Sequence, residues 1–237
     1  MIGQTDTVQI NEQGDTFTRE RRYALVVTSH RGLLYLPETI QLAAGLAERC
    51  EQVVLVDDSG TQQFRCGDFL STDLVSHSER HGLAVTVDDA WSAVRPEITH
   101  VFHLEEDFHL LEPVDLDAMA DTLDEFGNLS QLVLKRQAWS PEEQAAGGIV
   151  EMHPDQYVEV NLGGRLWTQH HRLFSLNPSL IPARVIRGGW PASNERGMTD
   201  RILDQGGCFG YWGGKHDPPR CLHVGSQGGM GSAGWAA

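Results

Sequence analysis

Three short apolar runs, each followed at once by polar or acidic residues, constrain the fold of this chain most strongly. They are Tyr23–Thr28, Val53–Val56 and Thr99–Leu104. Each has the length and β-branched content of a buried strand, and an amphipathic helix beginning at Pro37 separates the first two. Alternating strands and helices predict an α/β fold with a mostly parallel central sheet. Such sheets bind ligands beyond the carboxyl ends of their strands.

The polar residues at the ends of these runs are expected to meet at one edge of the sheet. Three of them, Glu105, Glu106 and Asp107, are adjacent carboxylates that repel one another and need a compensating cation. Mg²⁺ or Mn²⁺ would supply it, because these ions combine one or two protein carboxylates with phosphate oxygens. A solvated acidic turn is the plainer interpretation. The position directly after a buried strand leaves both open.

The remaining pattern predicts further elements. Leu83–Val87 is typical of another strand, and Asp88 is placed to cap a helix through Val94. The last third of the chain is rich in Gly, Trp, His and Pro, which is typical of loops over a scaffold. The other predicted elements are a helix at Asp115–Phe126, a strand in Gln131–Lys135, a loop over Ser140–Gly148, a strand in Leu173–Pro178 before a turn at Leu180–Pro182, a helix capped by Asn194 and ending at Gly206, and a strand at Cys208–Trp212.

The charge balance limits the classes of partner. The 237-residue chain carries 33 acidic and 18 basic residues, a formal net charge of −15. This argues against nonspecific binding to nucleic-acid backbones or anionic membranes. The sequence shows no apolar run of transmembrane length and no signal-peptide hydrophobic region, so we expect a cytoplasmic protein without membrane insertion. Widely spaced cysteines favour reduced thiols.

Taken in order, these segments resemble the GT-A glycosyltransferases, in particular family 2-like enzymes that use nucleotide-sugar donors, over residues 23–235. Val26–Arg31 resembles the first donor-binding strand and loop of the family, and Val54–Gly60 resembles its Asp-Asp-Gly-Ser segment near the nucleobase. Glu105–Asp107 stands at the family's Asp-x-Asp motif, with Glu in the first position. Trp190–Glu195 resembles the acceptor-side segment, and Cys221–Gly225 resembles the segment that carries a late histidine.

The resemblance implies a metal-dependent enzyme that moves a sugar from a nucleotide-sugar donor, with a UDP-sugar favoured. Mn²⁺ or Mg²⁺ would be bound by Asp107 and His223, so these two residues are expected to approach each other in the fold. The residues implied for donor binding are Thr28, Ser29, His30, Arg31, Asp57, Asp58, Glu105, Glu106 and Asp107.

The resemblance also implies an acceptor side, where a carbohydrate, protein or other hydroxyl-bearing molecule would bind. Glu195 is the candidate general base, with Asp200 and Asp204 as alternatives, and a carboxylate base implies inversion at the anomeric carbon. Trp190 and Trp212 are the candidate acceptor contacts, because sugar rings pack on aromatic faces, although both are equally suited to a core.

The predicted domain organisation is a flexible arm over residues 1–21 and a single GT-A domain over residues 22–237. Within it, residues 22–112 would bind the nucleotide sugar and residues 113–237 would form the acceptor side. The fingerprint-like glycines from Gly229 to Gly234 follow no clear strand, so we expect a tail or lid there.

Other interpretations remain open from the sequence. One is a zinc protein built from Cys208, His216, Cys221 and His223, whose spacing matches no common zinc module. Another is a noncatalytic carbohydrate-binding domain. A third is a nucleotidyltransferase, which would form a nucleotide sugar where a glycosyltransferase consumes it. Core packing is the preferred role for His103.

Overall fold

A nine-stranded mixed sheet forms the centre of the computed structural model, which describes residues 7–10, 16–31, 34–61, 73–191 and 194–225. The glycines from Gly229 to Gly234 lie outside these residues. The strands of the central sheet, in spatial order, are β5 (Asp73–Ser76), β4 (Gln52–Asp57), β3 (Tyr23–Ser29), β6 (His100–Glu105), β11 (Ser179–Pro182), β8 (Leu129–Val133), β12 (Cys208–Trp212), β10 (Arg165–His170) and β9 (Tyr157–Leu162).

The sheet is largely parallel, as the sequence predicts. Seven of these strands run in one direction, and β10 and β11 run against them. The parallel register pairs Thr28 with Glu105 and Ser29 with Asp57. Three neighbouring strands therefore end at the same level, and their polar end residues share one edge.

Two short antiparallel pairs accompany the sheet. β7 (Phe108–Leu110) pairs with β13 (Cys221–His223), which brings residues near the end of the described chain beside the end of β6. β1 (Thr7–Ile10) pairs with β2 (Thr16–Arg19) in the segment for which the sequence predicts only an arm.

Helices cover both faces of the sheet, so its central strands β3, β6, β8 and β11 are buried on both sides. The helices are α1 (Leu36–Leu42), α2 (Ala44–Ala47), α3 (Leu83–Ser92), α4 (Leu116–Glu125), α5 (Pro141–Ala146), α6 (Ile149–Met152), α7 (Ala183–Ile186) and α8 (Glu195–Asp204), with a short 3₁₀ turn at Pro154–Gln156. One core lies under α1, α2 and α4, and the other under α3, α7 and α8. Along β3, Leu25 and Val27 enter the first core, whereas Ala24 and Val26 enter the second. No helix among the described residues is both long and apolar enough to cross a membrane.

The predicted strand at Leu83–Val87 is wrong, because these residues form the first half of α3. The buried positions of α3 are Thr86, Val87, Ala90 and Trp91, which follow a helical spacing, whereas Val85 is exposed. Asp88 accordingly lies inside the helix and does not cap it. The edge strand of the sheet comes instead from β5, a segment in which the sequence gives no clear pattern.

Two further predictions need correction in the C-terminal half. Ser140 caps the short helix α5 by accepting a hydrogen bond from the Glu143 backbone, so Ser140–Gly148 is not a loop throughout. The strand predicted in Leu173–Pro178 begins only at Ser179, where the sequence suggests a turn. The predictions for α4, α8 and β12 are confirmed, with Asn194 at the cap of α8.

We predict that α4 depends measurably on its N-cap. The Asp115 carboxylate accepts a hydrogen bond of 3.1 Å from the Ala118 backbone and satisfies one of the free N–H groups at this helix end. Asp115→Ala should lower the free energy of unfolding by about 1 kcal/mol, measured by urea denaturation. Asp115→Asn keeps the acceptor and should change little. If both variants lost the same free energy of unfolding, the stabilising effect of Asp115 would come from its charge and not from the capping hydrogen bond.

Candidate active site

The carboxyl ends of β3, β4 and β6 form a polar edge that contains the predicted donor-side residues. Thr28–Arg31 leaves β3, Asp57 and Asp58 end β4, and Glu105–Asp107 ends β6. Cross-strand backbone bonds extend this contact, because the Asp58 N–H donates to Ser29 and the Glu106 N–H donates to Thr28. The predicted convergence of these three segments is therefore confirmed.

Glu106 holds the loop after β3 in place. Its buried carboxylate accepts hydrogen bonds from the Ser29 hydroxyl at 2.5 Å, the His30 N–H at 2.6 Å and the Arg31 N–H at 2.8 Å. Its backbone carbonyl also accepts from the Thr39 hydroxyl of α1. Burial raises the pKa of Glu106 to about 7, even though these hydrogen bonds lower it. Both oxygens are engaged by the protein, which makes Glu106 a positioning residue for this loop.

Asp57 and Asp58 are both fully buried, but they differ in how their oxygens are used. Asp58 accepts hydrogen bonds from His77 at 2.8 Å, the His81 N–H at 2.7 Å and the Gly82 N–H at 2.9 Å. Burial alone would raise the pKa of Asp58, but these hydrogen bonds hold it below its ordinary range. Asp58 therefore fixes the connection between β5 and α3.

Asp57 keeps one oxygen available. Its Oδ1 accepts a hydrogen bond of 3.0 Å from the Ser59 N–H, whereas Oδ2 is buried without a hydrogen-bond partner among the residues that the structure describes. An unsatisfied buried acceptor is costly, so such an oxygen calls for a donor from elsewhere. Of the two aspartates, Asp57 is the one that keeps an unused acceptor oxygen among the described residues.

Glu105 and Glu195 are close enough at this edge to interact electrostatically. Burial and the neighbouring charges of Asp107 and Glu195 raise the pKa of Glu105 well above its ordinary value. Glu195 is the first residue of α8, and its Oε1 accepts a hydrogen bond of 2.7 Å from the Leu176 N–H. Burial raises the pKa of Glu195, although the hydrogen bond from Leu176 lowers it.

Asp107 and His223 approach each other, as predicted. The His223 Nε2 lies 3.2 Å from the Asp107 Oδ2, although 116 positions separate them in the chain. The Arg31 guanidinium contacts the same oxygen at 3.2 Å. A Cβ built on Gly225 would come within 2.2 Å of the Asp107 Oδ2 and 2.9 Å of the His223 Nε2. Glycine at this position leaves the space between carboxylate and imidazole open.

Three residues that the sequence does not single out hold His223. The imidazole lies between Phe108, at a centroid distance of 4.5 Å, and Trp139, at 3.9 Å. The Gln137 side chain bonds both backbone groups of His223, donating to its carbonyl and accepting from its N–H at 2.9 Å each. Phe108 and Trp139 are thus the two aromatic residues stacked on the histidine of this pair.

No protein-family model matches the sequence, and a search of curated proteins finds no relative. Among solved structures, the TarS 1–349 fragment of S. aureus superposes with a TM-score of 0.53 at 13% identity, covering 86% of this chain and 60% of that one. The chain thus spans less than two thirds of the structure it matches. The fold is GT-A-like. The same TarS fragment in complex with UDP superposes with a TM-score of 0.53 at 13% identity, covering 85% of this chain and 60% of that one. A mycobacterial protein superposes with a TM-score of 0.53 at 12% identity, covering 82% of this chain and 66% of that one.

Asp107 and His223 could together hold a divalent ion at this edge. Asp107 offers a carboxylate oxygen and His223 an imidazole nitrogen, a donor pair suited to Mn²⁺. Among the described ranges, no group of three His, Cys, Asp or Glu side chains is arranged to hold a metal. Two protein ligands leave the remaining coordination positions to water and substrate phosphates, the usual arrangement for ions of this type.

The predicted acceptor contact of Trp190 needs correction. Trp190 is only 7% exposed and packs edge to face on Trp91, with ring centroids 5.2 Å apart, in the core under α3 and α8. Trp212 is half-buried against the core on the opposite face of this GT-A-like sheet. One sugar therefore cannot stack on both, and the buried Trp190 indole is a core anchor.

The alternatives to Glu195 and to a sugar-nucleotide site lose support from the geometry. Asp200 is exposed and pairs with Arg196 at 3.0 Å, and Asp204 is also exposed. Of the candidate zinc ligands, Cys208 and Cys221 are buried in the core, whereas the His216 side chain is 84% exposed.

Two further histidines, His103 and His170, are buried in the central sheet. His103 is fully buried, as the sequence prefers. His170 pairs in register with Phe209 near the start of β12, which places it at the other end of the sheet.

We predict that Glu106 stabilises the fold through the hydrogen bonds that its carboxylate accepts. Glu106→Gln replaces one acceptor oxygen with an amide that faces N–H donors, so the free energy of unfolding should fall by about 1–3 kcal/mol. Glu105→Gln is the matched control, because it removes charge where neighbouring carboxylates repel and should leave stability equal or higher. Denaturant unfolding at pH 8 compares the two. Similar stabilities for both variants would contradict this role of Glu106.

Proposed function

We propose that this protein is a metal-dependent glycosyltransferase that moves a sugar from a nucleoside-diphosphate donor, preferably a UDP-sugar, to an acceptor hydroxyl. The observation that carries the proposal is the Asp107–His223 pair, 3.2 Å apart at the carboxyl edge of a GT-A-like sheet. Supporting it, a second carboxylate, Glu195, lies close enough to raise the pKa of Glu105. The site thus combines a candidate metal pair with a separate candidate base.

The donor would lie along the ends of β3, β4 and β6. A structural neighbour of this chain binds UDP, which supports a uridine nucleotide. The N3–H of uracil is a donor that would satisfy the buried Asp57 Oδ2, whereas the N3 of cytosine is an acceptor that would face it unfavourably. Arg31, beside Asp107, is placed to contact the diphosphate. These contacts would favour a UDP-sugar over a CDP-sugar.

Asp107 and His223 would hold Mn²⁺ or Mg²⁺ together with the donor's diphosphate. A divalent cation supplies charge neutralisation as the glycosyl bond breaks, which improves the leaving group. Arg31 adds a second positive charge next to the Asp107 carboxylate. In a chain of net charge −15, this local arrangement allows an anionic donor to bind.

Glu195 would take the proton of the attacking acceptor hydroxyl. The Leu176 N–H fixes one carboxylate oxygen, which leaves the other to face the hydroxyl. Burial raises the Glu195 pKa toward the working pH, which suits a general base. The attack would then come from the side opposite the leaving diphosphate and invert the anomeric carbon.

The proposal is tested by a thermal-shift panel of UDP-, GDP-, dTDP- and CDP-sugars with and without Mn²⁺. A true donor should stabilise the protein by about 2.7 kcal/mol at 100 times its Kd, and only with metal. UDP forms should exceed CDP forms in wild type. Asp57→Asn places a donor opposite the base, so it should weaken UDP and strengthen CDP binding. Asp107→Asn should abolish the metal dependence.

Several outcomes of this panel would contradict the proposal. Absence of any Mn²⁺-dependent shift would remove the enzyme class. Equal shifts with UDP and CDP forms, unaffected by Asp57→Asn, would remove only the nucleobase contact. Release of pyrophosphate from a nucleoside triphosphate and a sugar phosphate, with formation of a nucleotide sugar, would indicate a nucleotidyltransferase.

We predict that Glu195→Gln separates binding from chemistry. The variant keeps the shape and the contact with Leu176 but cannot accept the acceptor proton, so transfer should fall by about 10²–10⁴-fold. The thermal shift with UDP-sugar and Mn²⁺ should match that of wild type. Asp200→Asn is the control on the exposed face of the same helix and should transfer normally. Normal transfer by Glu195→Gln, with chemistry limiting, would move the base elsewhere.

A further inference from the structure

Residues 136–143, which we call the clamp segment, form a short unit braced by one buried ion pair. Arg136 makes a two-point contact with Glu143, with Nη1 at 2.7 Å from Oε2 and Nη2 at 2.9 Å from Oε1. The Glu143 Oε2 also accepts the Trp139 N–H at 2.7 Å. Paired, planar and largely buried contacts of this kind hold their geometry better than single surface contacts. The brace therefore fixes the positions of Gln137 and Trp139 between its ends.

Gln137 and Trp139 both contact His223. Gln137 uses its amide N–H and its amide oxygen on the backbone of His223, at 2.9 Å each, across 86 positions of sequence. Trp139 covers one face of the imidazole at a centroid distance of 3.9 Å and an angle of 27°. The backbone and one ring face of His223 are thus set by the clamp segment.

The other ring face is set from the end of β6. Phe108 stacks on it at 4.5 Å and 6°, and the pairing of β7 with β13 places His223 directly opposite Phe108. With both faces covered and the backbone bonded, the ring edge with Nε2 is directed at Asp107. The imidazole is held for contact along that edge.

We propose that Gln137 and Trp139 are positioning residues that hold His223 in the orientation needed to share a divalent cation with Asp107. This inference rests on the proposed function. It also connects the acceptor side with the metal, because the clamp segment leads from β8 into α5. Groups that orient a metal-binding histidine typically change metal affinity by about 10–100-fold when removed.

The test uses Mn²⁺ alone, with free Mn²⁺ measured by electron paramagnetic resonance, on the full chain. Trp139→Leu, Gln137→Leu and Glu143→Gln should each weaken Mn²⁺ binding by about 10–100-fold. Trp139→Phe keeps an aromatic face and should stay within about threefold of wild type. His223→Ala sets the value for complete loss of this ligand. Glu143→Gln acts without touching His223, so it tests the clamp even where a Trp139 variant fails to fold.

A second readout requires no metal. The ring protons of His223, followed by NMR in the metal-free protein, should move downfield in Trp139→Leu as the shielding of the stacked indole is lost. They should shift in the same sense in Glu143→Gln. A role limited to general packing would lower the melting temperature without selectively changing either readout.

The outcomes separate the two proposals. If wild type binds Mn²⁺ and His223→Ala does not, wild-type affinity in the clamp variants would overturn the inference alone. If wild type binds no Mn²⁺, or His223→Ala binds it equally well, the metal role in the proposed function fails. Unchanged His223 resonances in Trp139→Leu and Glu143→Gln would then overturn the clamp as well.

Discussion

The carboxylate of Glu106, buried between the ends of two strands, is the interaction on which this edge of the molecule depends. It accepts hydrogen bonds from Ser29, His30 and Arg31, whose donor groups would otherwise lack these partners. Desolvating a carboxylate is costly, and here hydrogen bonds to both oxygens offset part of that cost. The loop that results brings the Arg31 side chain to Asp107. One acid of the triplet is thus structural, and it sets the geometry of the next.

The three adjacent acidic residues at the site differ in the groups that surround their carboxylates. Glu106 receives backbone donors, Asp107 receives Arg31 and His223, and Glu105 meets mainly other carboxylates. The same local sequence therefore yields three environments, because successive residues leaving a strand point in different directions. A cation shared by Asp107 and His223 would also relieve the repulsion around Glu105, so charge balance and ligand binding are coupled.

Much of the polar edge could be predicted from sequence, because apolar runs that end in acids identify both the strand and its carboxyl end. The fold class and the approach of Asp107 to His223 followed from those ends and from the resemblance. The pattern at Leu83–Val87 gave a wrong prediction, because a run of five residues is too short for its periodicity to distinguish a strand from a helix. The tertiary structure distinguishes the two, because β5 forms the edge strand of the sheet and Leu83–Val87 belongs to α3.

Other parts of the site could not be read from the sequence. Asp57 and Asp58 are identical in type, and donors from residues 77–82, a segment without a clear pattern, distinguish them. Gln137 and Trp139 carry no motif, and their contact with His223 joins distant parts of the chain. Trp190 has the right chemistry for a sugar, but packing on Trp91 places it inside.

The pairing of β7 with β13 has a consequence for the order in which the protein is made. Synthesis delivers Asp107 and the first parallel strands long before the segment from Cys221 to Gly225, which contributes His223 and the open space beside it. A nascent chain can collapse around β3, β4 and β6 while the Asp107–His223 pair is still incomplete. The pair therefore forms only once the segment from Cys221 to Gly225 has been made, after all nine strands of the central sheet.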